Sequence, residues 1–129
     1  MLRRNCEKIA CDMFYGKLNL PGKMQYIERV MDSCQTEEHL ETVKVWGNSV
    51  LTGILRMVDR AVGSKYGSGS DFIYITGKFS RNLRKIRNEI NAYYKVRLDL
   101  IHEAEKKRNE VLRELSEPNK RDGGVQEGA

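Results

Sequence analysis

Apolar side chains recur at intervals of three and four residues from Phe72 to Leu115, passing through Ile75, Phe79, Leu83, Ile86, Ile90, Tyr93, Leu100 or Ile101, Ala104, Val111 and Leu112. That spacing lines one face of an α-helix. Sustained over three dozen residues or more, it predicts one helix longer than globular domains normally hold. Phe72-Ile73-Tyr74-Ile75-Thr76 has strand propensity, but the chain offers no partner strand and the helical period passes through it; it is read as helix, with Gly77 as a weak point. A helix that rises about 1.5 Å per residue outruns any shorter helix packed against it, so part of its stripe needs cover from elsewhere.

The remaining elements are shorter. Leu2 to Gly16 sets Cys6, Ile9, Met13 and Phe14 on one side and reads as a first helix. Gly16 and Asn19-Leu20-Pro21-Gly22 break it, and Met24, Ile27, Val30 and Met31 mark a second helix ending near Ser33. A third runs from the N-cap Thr36 to a stop at Gly63, with Leu40, Val43, Gly47, Val50, Leu51, Ile54, Val58, Ala61 and Val62 as its stripe. Glu37 and Glu38 favour its positive end. Trp46 and the methionines Met13, Met24, Met31 and Met57 are read as packing material. The glycine and serine residues from Gly63 to Ser70 are read as a flexible connector.

The chain has 129 residues, enough for a single core. Residues 1–117 are expected to form a single helical domain, closed by Pro118, with 118–129 a disordered tail too poor in apolar residues to fold. The expected fold class is all-α: an irregular helical bundle or extended helical hairpin with one long C-terminal helix. Two prolines argue against a β-sandwich, and no apolar run is long enough to span a bilayer, so a soluble, unexported protein without a membrane partner is expected. Cys6, Cys11 and Cys34 form no CxxC pair and are read as thiols in a reducing compartment.

Charge is informative in its placement. The net formal charge is +5, but between Asp71 and Glu89 no acid interrupts Lys78, Arg81, Arg84, Lys85 and Arg87. With Lys95 these form a candidate macromolecule-binding basic face on the long helix, flanked by Asn88 and Asn91, where Tyr93 and Tyr94 could stack on unpaired bases. Positive charge in the early turns opposes the helix dipole, which an external anion would relieve. From Glu103 to Glu117 charges of both signs alternate, Glu103 and Lys107 lying four apart in the favourable order. Val111, Leu112 and Leu115 lie beyond any intrachain cover and are expected to mediate self-association, as a homodimer.

No catalytic residue, cofactor site or metal site is expected. The Gly63–Ser70 loop lacks a GxxxxGK[ST] pattern, His39 and His102 do not stand at zinc-ligand spacing from the cysteines, and no orienting group completes a Cys/His pair.

Ser33-Cys34-Gln35-Thr36-Glu37-Glu38-His39-Leu40-Glu41, followed by Trp46, resembles a helix opening found in small uncharacterised helical proteins of tailed phages and their bacterial hosts. The resemblance implies an accessory protein that acts by binding in the bacterial cytoplasm, and it supplies no catalytic residue. The expected function is a non-enzymatic helical interaction protein binding another macromolecule, a phage or host protein, as a homo-oligomer. The alternative is a nucleic-acid-binding accessory protein using the basic face on DNA or RNA.

Overall fold

The structure, a computed structural model, describes residues 3–128 of the chain, with side chains described for residues 3–116. Its elements are α1 (Arg3–Cys11), a π-helical segment (Asp12–Lys17), α2 (Leu20–Asp32), α3 (Glu37–Tyr66) and α4 (Ser70–Gly128). No strand occurs among the described residues, so the fold is all-α, and Phe72 to Thr76 lies within α4.

Four helices reduce to three arms. α1, the π-helical segment and α2 run end to end alongside α4 in the same direction: Cys6 meets Asp71, Phe14 packs edge-on to Phe79 with ring centres 6.0 Å apart, and Asp32 meets Tyr93 and Arg97. α3 runs the opposite way, since Glu37 meets His102, Asn48 meets Asn91, Thr52 meets Arg87 and Gly63 lies against the Phe72 ring. The result is an up-down-up bundle with a segmented first arm. α4 supplies Ile75, Phe79, Leu83, Ile86, Ile90, Tyr94 and Ile101 to the core. α3 meets them with Leu40, Leu51, Ile54, Val58 and Val62, and the first arm with Cys6, Ala10, Phe14, Leu20, Ile27 and Met31.

Local chemistry explains where the elements start and stop. Thr36 Oγ1 accepts from His39 N–H at 3.2 Å, capping α3 as the sequence predicts. The first break falls later than expected. Gly16 lies inside the π-helical segment, which ends with Leu18 N–H donating to Met13 O at 3.1 Å, and Pro21 and Gly22 occupy the first turn of α2. Proline fits there because the amide it lacks would have no helical partner. The actual break is Asn19, at φ 45°, whose Oδ1 accepts from Gly22 N–H at 3.3 Å.

Gly63 does not stop α3, which continues to Tyr66. The stop is Gly67, at φ 75°, a left-handed conformation that glycine adopts without a Cβ clash. The expected eight-residue connector thereby shrinks to Gly67-Ser68-Gly69. α4 also runs past Pro118, to Gly128, although an interior proline forfeits one i→i−4 bond and weakens the helix where it stands. The expectation for 118–129 as a disordered tail falls on residues whose side chains lie outside the described residues.

Two packing expectations are corrected. Trp46 is 41% exposed rather than core, because α3 buries Gly47, one position on, against Ile27 of α2; the indole instead lies edge-on to the exposed Tyr26, ring centres 6.1 Å apart. Of the methionines read as filler, Met31 is fully buried, Met13 and Met24 are half-buried, and Met57 is exposed. Cys6, Cys11 and Cys34 are free thiols. Burial, foremost, pushes the Cys6 and Cys34 thiols up from their ordinary value, with the Asp71 carboxylate reinforcing the effect at Cys6, which disfavours the reactive thiolate.

A Cβ on Gly47 would stand 3.1 Å from Ile27 Cγ2, so this glycine sets how closely α2 and α3 approach. Gly47→Leu is expected to destabilise the bundle by about 1–3 kcal/mol in denaturant titrations. Gly77→Ala, whose Cβ would meet only Arg81 Nη1 at 3.6 Å in mid-helix, is expected to stabilise it by up to about 1 kcal/mol.

Candidate nucleic-acid interface

α4 is tied to each of its three neighbours by a tyrosine hydroxyl that donates to a carboxylate. Tyr74 reaches Glu7 of α1 at 2.7 Å, Tyr93 reaches Asp32 at the end of α2, and Tyr94 reaches Glu41 of α3. Arg97 adds Nη2 bonds to the carbonyl oxygens of Asp32 (3.1 Å) and Cys34 (3.0 Å), closing the end of α2. These contacts correct the expectation that Tyr93 and Tyr94 stack on bases. Tyr94 is 8% exposed with its hydroxyl on Glu41, and the half-buried Tyr93 gives its hydroxyl to Asp32 at the exposed end of α2. Both residues fall on the side of α4 that contains its core stripe, which the local basic pattern does not reveal.

The antiparallel register of α3 and α4 brings together a group that is separated in sequence. Lys44, Asn48, Thr52 and Arg56, spaced four apart, form a row along α3. Opposite them α4 presents Arg87 and Asn91, also four apart, and the two rows line an open groove with Val45, Ser49 and Gly53. No carboxylate lines it. Arg87 Nη2 donates to Thr52 Oγ1 at 2.9 Å, while the Thr52 hydroxyl donates to Asn48 O at 3.0 Å. Asn48 Nδ2 donates to Asn91 Oδ1 at 3.5 Å. At the groove's end Lys44 Nζ sits 4.4 Å from the centre of the Tyr94 ring, a cation–π contact that restrains the ammonium group.

The groove floor is imperfectly satisfied. Arg87 Nε and Asn48 Oδ1 are buried without a hydrogen-bond partner. Each such group costs about 1–3 kcal/mol.

The six residues of the predicted basic face do not form one surface. Arg87 turns inward to Thr52 and lines the groove. Arg84 is exposed and, three residues before Arg87 and seven before Asn91, flanks the same side. Arg81 and Lys95 are exposed on the outer side of α4. Lys85 lies on the opposite flank, in a crevice with Glu89, Pro21 and Met24, and Lys78, two helical turns earlier, shares that flank and is half-buried. Among the described residues none of the six forms an ion pair. The flank toward α2 also holds carboxylates: burial, and then the Glu89 and Asp32 carboxylates, push the Glu28 carboxyl above its ordinary value. That flank therefore mixes carboxylates with Lys78 and Lys85, whereas the lining of the α3/α4 groove is cationic and neutral.

Sequence reasoning missed Lys44, Asn48, Thr52 and Arg56 as site residues. Their four-residue spacing was visible, but on an isolated helix it reads as an ordinary solvated edge. Val111, Leu112 and Leu115, the predicted self-association residues, are 53%, 59% and 67% exposed. No group of three or more His, Cys, Asp or Glu side chains among the described residues converges as a metal-ion site, and no helix there is long and apolar enough to cross a membrane. No protein-family model matches the chain, and neither a curated protein nor a solved structure matches it.

The bond to Glu41, with burial and the nearby carboxylates adding to it, pushes the Tyr94 phenol from 10.0 to about 12. A folded-state value above the unfolded one means the contribution is complete below about pH 10 and disappears as pH rises toward 12. Tyr94→Phe, which keeps the ring under Lys44, is expected to cost about 1 kcal/mol at neutral pH. It should also remove the highest-pH step from the phenolate absorbance titration.

Proposed function

We propose that the protein is a non-enzymatic helical module that binds nucleic acid along the α3/α4 groove, with Arg81, Arg84 and Lys95 of α4 extending the contact outward. The observation that carries this reading is the carboxylate-free groove, in which Lys44, Arg56 and Arg87 stand with Asn48 and Asn91. Ammonium and guanidinium groups attract phosphates without regard to sequence and displace condensed counterions. Asparagine carboxamides both donate and accept, so they suit sugar hydroxyls or base edges next to those phosphates. The groove is open, lacks a nucleophile paired with a base, and suits a strand laid along it better than a substrate enclosed in it.

A protein partner, phage or host, is the second reading. It is favoured by the exposed Tyr26 and Trp46 side chains, an edge-on aromatic pair on α2 and α3 of the kind enriched at protein interfaces. An accessory role in a bacterial cytoplasm rests on the helix opening at Ser33–Glu41.

Binding of labelled single-stranded DNA, double-stranded DNA and RNA across a salt series tests the proposal. Affinity for at least one of them is expected to fall steeply with salt, and Lys44→Glu with Arg56→Glu should weaken it more than tenfold while shallowing the slope by roughly 2. Lys85→Glu, on the other flank, should have a smaller effect, and Trp46→Ala almost none. Absence of any complex at low salt removes the reading, as does binding that is indifferent to Lys44 and Arg56.

A further inference from the structure

The bundle ends before α4 does. The first residue of α3, Glu37, lies opposite His102, and α2 ends at Asp32 opposite Tyr93 and Arg97. Ile101 is the last residue of α4 to enter the core, at 4% exposure. Beyond it the buried seam continues without intrachain cover: Tyr94, Arg97, Ile101, Ala104, Arg108, Val111 and Leu115 follow at alternating intervals of three and four, the repeat of a coiled coil. From Ala104 onward these seam residues are exposed.

We infer that a second copy of this chain covers this projecting seam from Ala104 to Leu115, with the two α4 helices antiparallel about a two-fold axis between Asn109 and Glu110 and each turning aside at Pro118, where the missing amide weakens the helix, so that its last residues clear the partner's α2 and α3. Two features of the sequence select that occupant and that direction. Parallel pairing in register would set Arg108 against the same arginine of the other copy in the middle of the seam, a like-charge contact that costs stability. Antiparallel pairing instead sets Arg108 of each copy against Val111 of the other, where the aliphatic stem can pack and the guanidinium can reach solvent. It also sets Leu115 against Ala104, large against small, at both ends of the contact.

The flanking charges fit the same register. Lys107 and Glu114 precede seam positions by one residue, on the edge of the interface. In the antiparallel arrangement Lys107 of each copy meets Glu114 of the other, giving two ion pairs by symmetry, whereas parallel pairing brings Lys107 beside Leu112 and makes neither. The contact is isologous and closes on itself, so the assembly stops at a dimer. It presents two α3/α4 grooves on one particle, but its existence does not depend on what those grooves bind.

Sedimentation equilibrium of the full chain across micromolar concentrations tests the inference, with circular dichroism to verify that each variant is helical. A monomer–dimer equilibrium is expected for the native sequence. Leu115→Glu should weaken dimerisation at least tenfold without loss of helix. Lys107→Glu and Glu114→Lys should each weaken it, and the two together should restore it toward the native value. A native chain that stays monomeric throughout, dimers indifferent to Leu115→Glu, or a double exchange that fails to rescue the single ones would each overturn the antiparallel pairing.

Discussion

Burial of one apolar stripe on α4 organises this protein. Ile75, Phe79, Leu83, Ile86, Ile90, Tyr94 and Ile101 form a continuous line, and every other element has its place because it covers part of that line. At roughly 25 cal/mol per Å² of apolar surface removed from water, such a line is the largest favourable contribution available to a chain of this size. The first arm is built of short pieces because it need only follow α4. The π-helical segment and the left-handed Asn19 adjust its path so that Phe14, Leu20, Ile27 and Met31 all return to the stripe.

Apolar burial is not directional, so register needs other contacts. The tyrosine hydroxyls of Tyr74, Tyr93 and Tyr94 supply them, one to each neighbouring helix, because a phenol that leaves its carboxylate loses a hydrogen bond that packing alone cannot replace. Gly47 sets the separation of α2 from α3 in a similarly specific way, by leaving room for Ile27 and for nothing larger. Once register is set, the charge pattern of the surface follows. Lys44, Arg56 and Arg87 come together in a groove that no carboxylate lines, while Lys85 shares the other flank of α4 with Glu89. An even mixture of these charges would attract little. A groove lined by cations without carboxylates presents a local positive potential that a polyanion can sense.

Much of the fold was legible in the residues. The three-and-four spacing from Phe72 onward, the Thr36 cap and the Met24 to Met31 stripe are local signals, and the helices formed where they pointed. The boundaries were less legible, since Gly63, Gly16 and Pro118 permit a break without requiring one, whereas Gly67 and Asn19 adopt positive φ and so impose it. Trp46 was misjudged because which neighbour of Gly47 points inward depends on where α2 crosses α3. The candidate site was legible only in halves. Arg84 and Arg87 stood out as basic, but Lys44, Asn48, Thr52 and Arg56 looked like any solvated edge until α4 lay beside them.

The amino-acid sequence by itself determined that the chain is helical, where its apolar stripes run, and that the last helix is longer than its cover. These are properties of one helix at a time, set by residues three and four apart. The tertiary structure alone decided that Arg87 faces Thr52 while Lys85 lies beside Pro21 and Met24, that Tyr93 and Tyr94 bind carboxylates of α2 and α3, and that the cover of α4 stops at Ile101. Such outcomes depend on the register between helices distant in sequence, which is a balance of packing and hydrogen bonds summed over the whole bundle and is not written in any single segment.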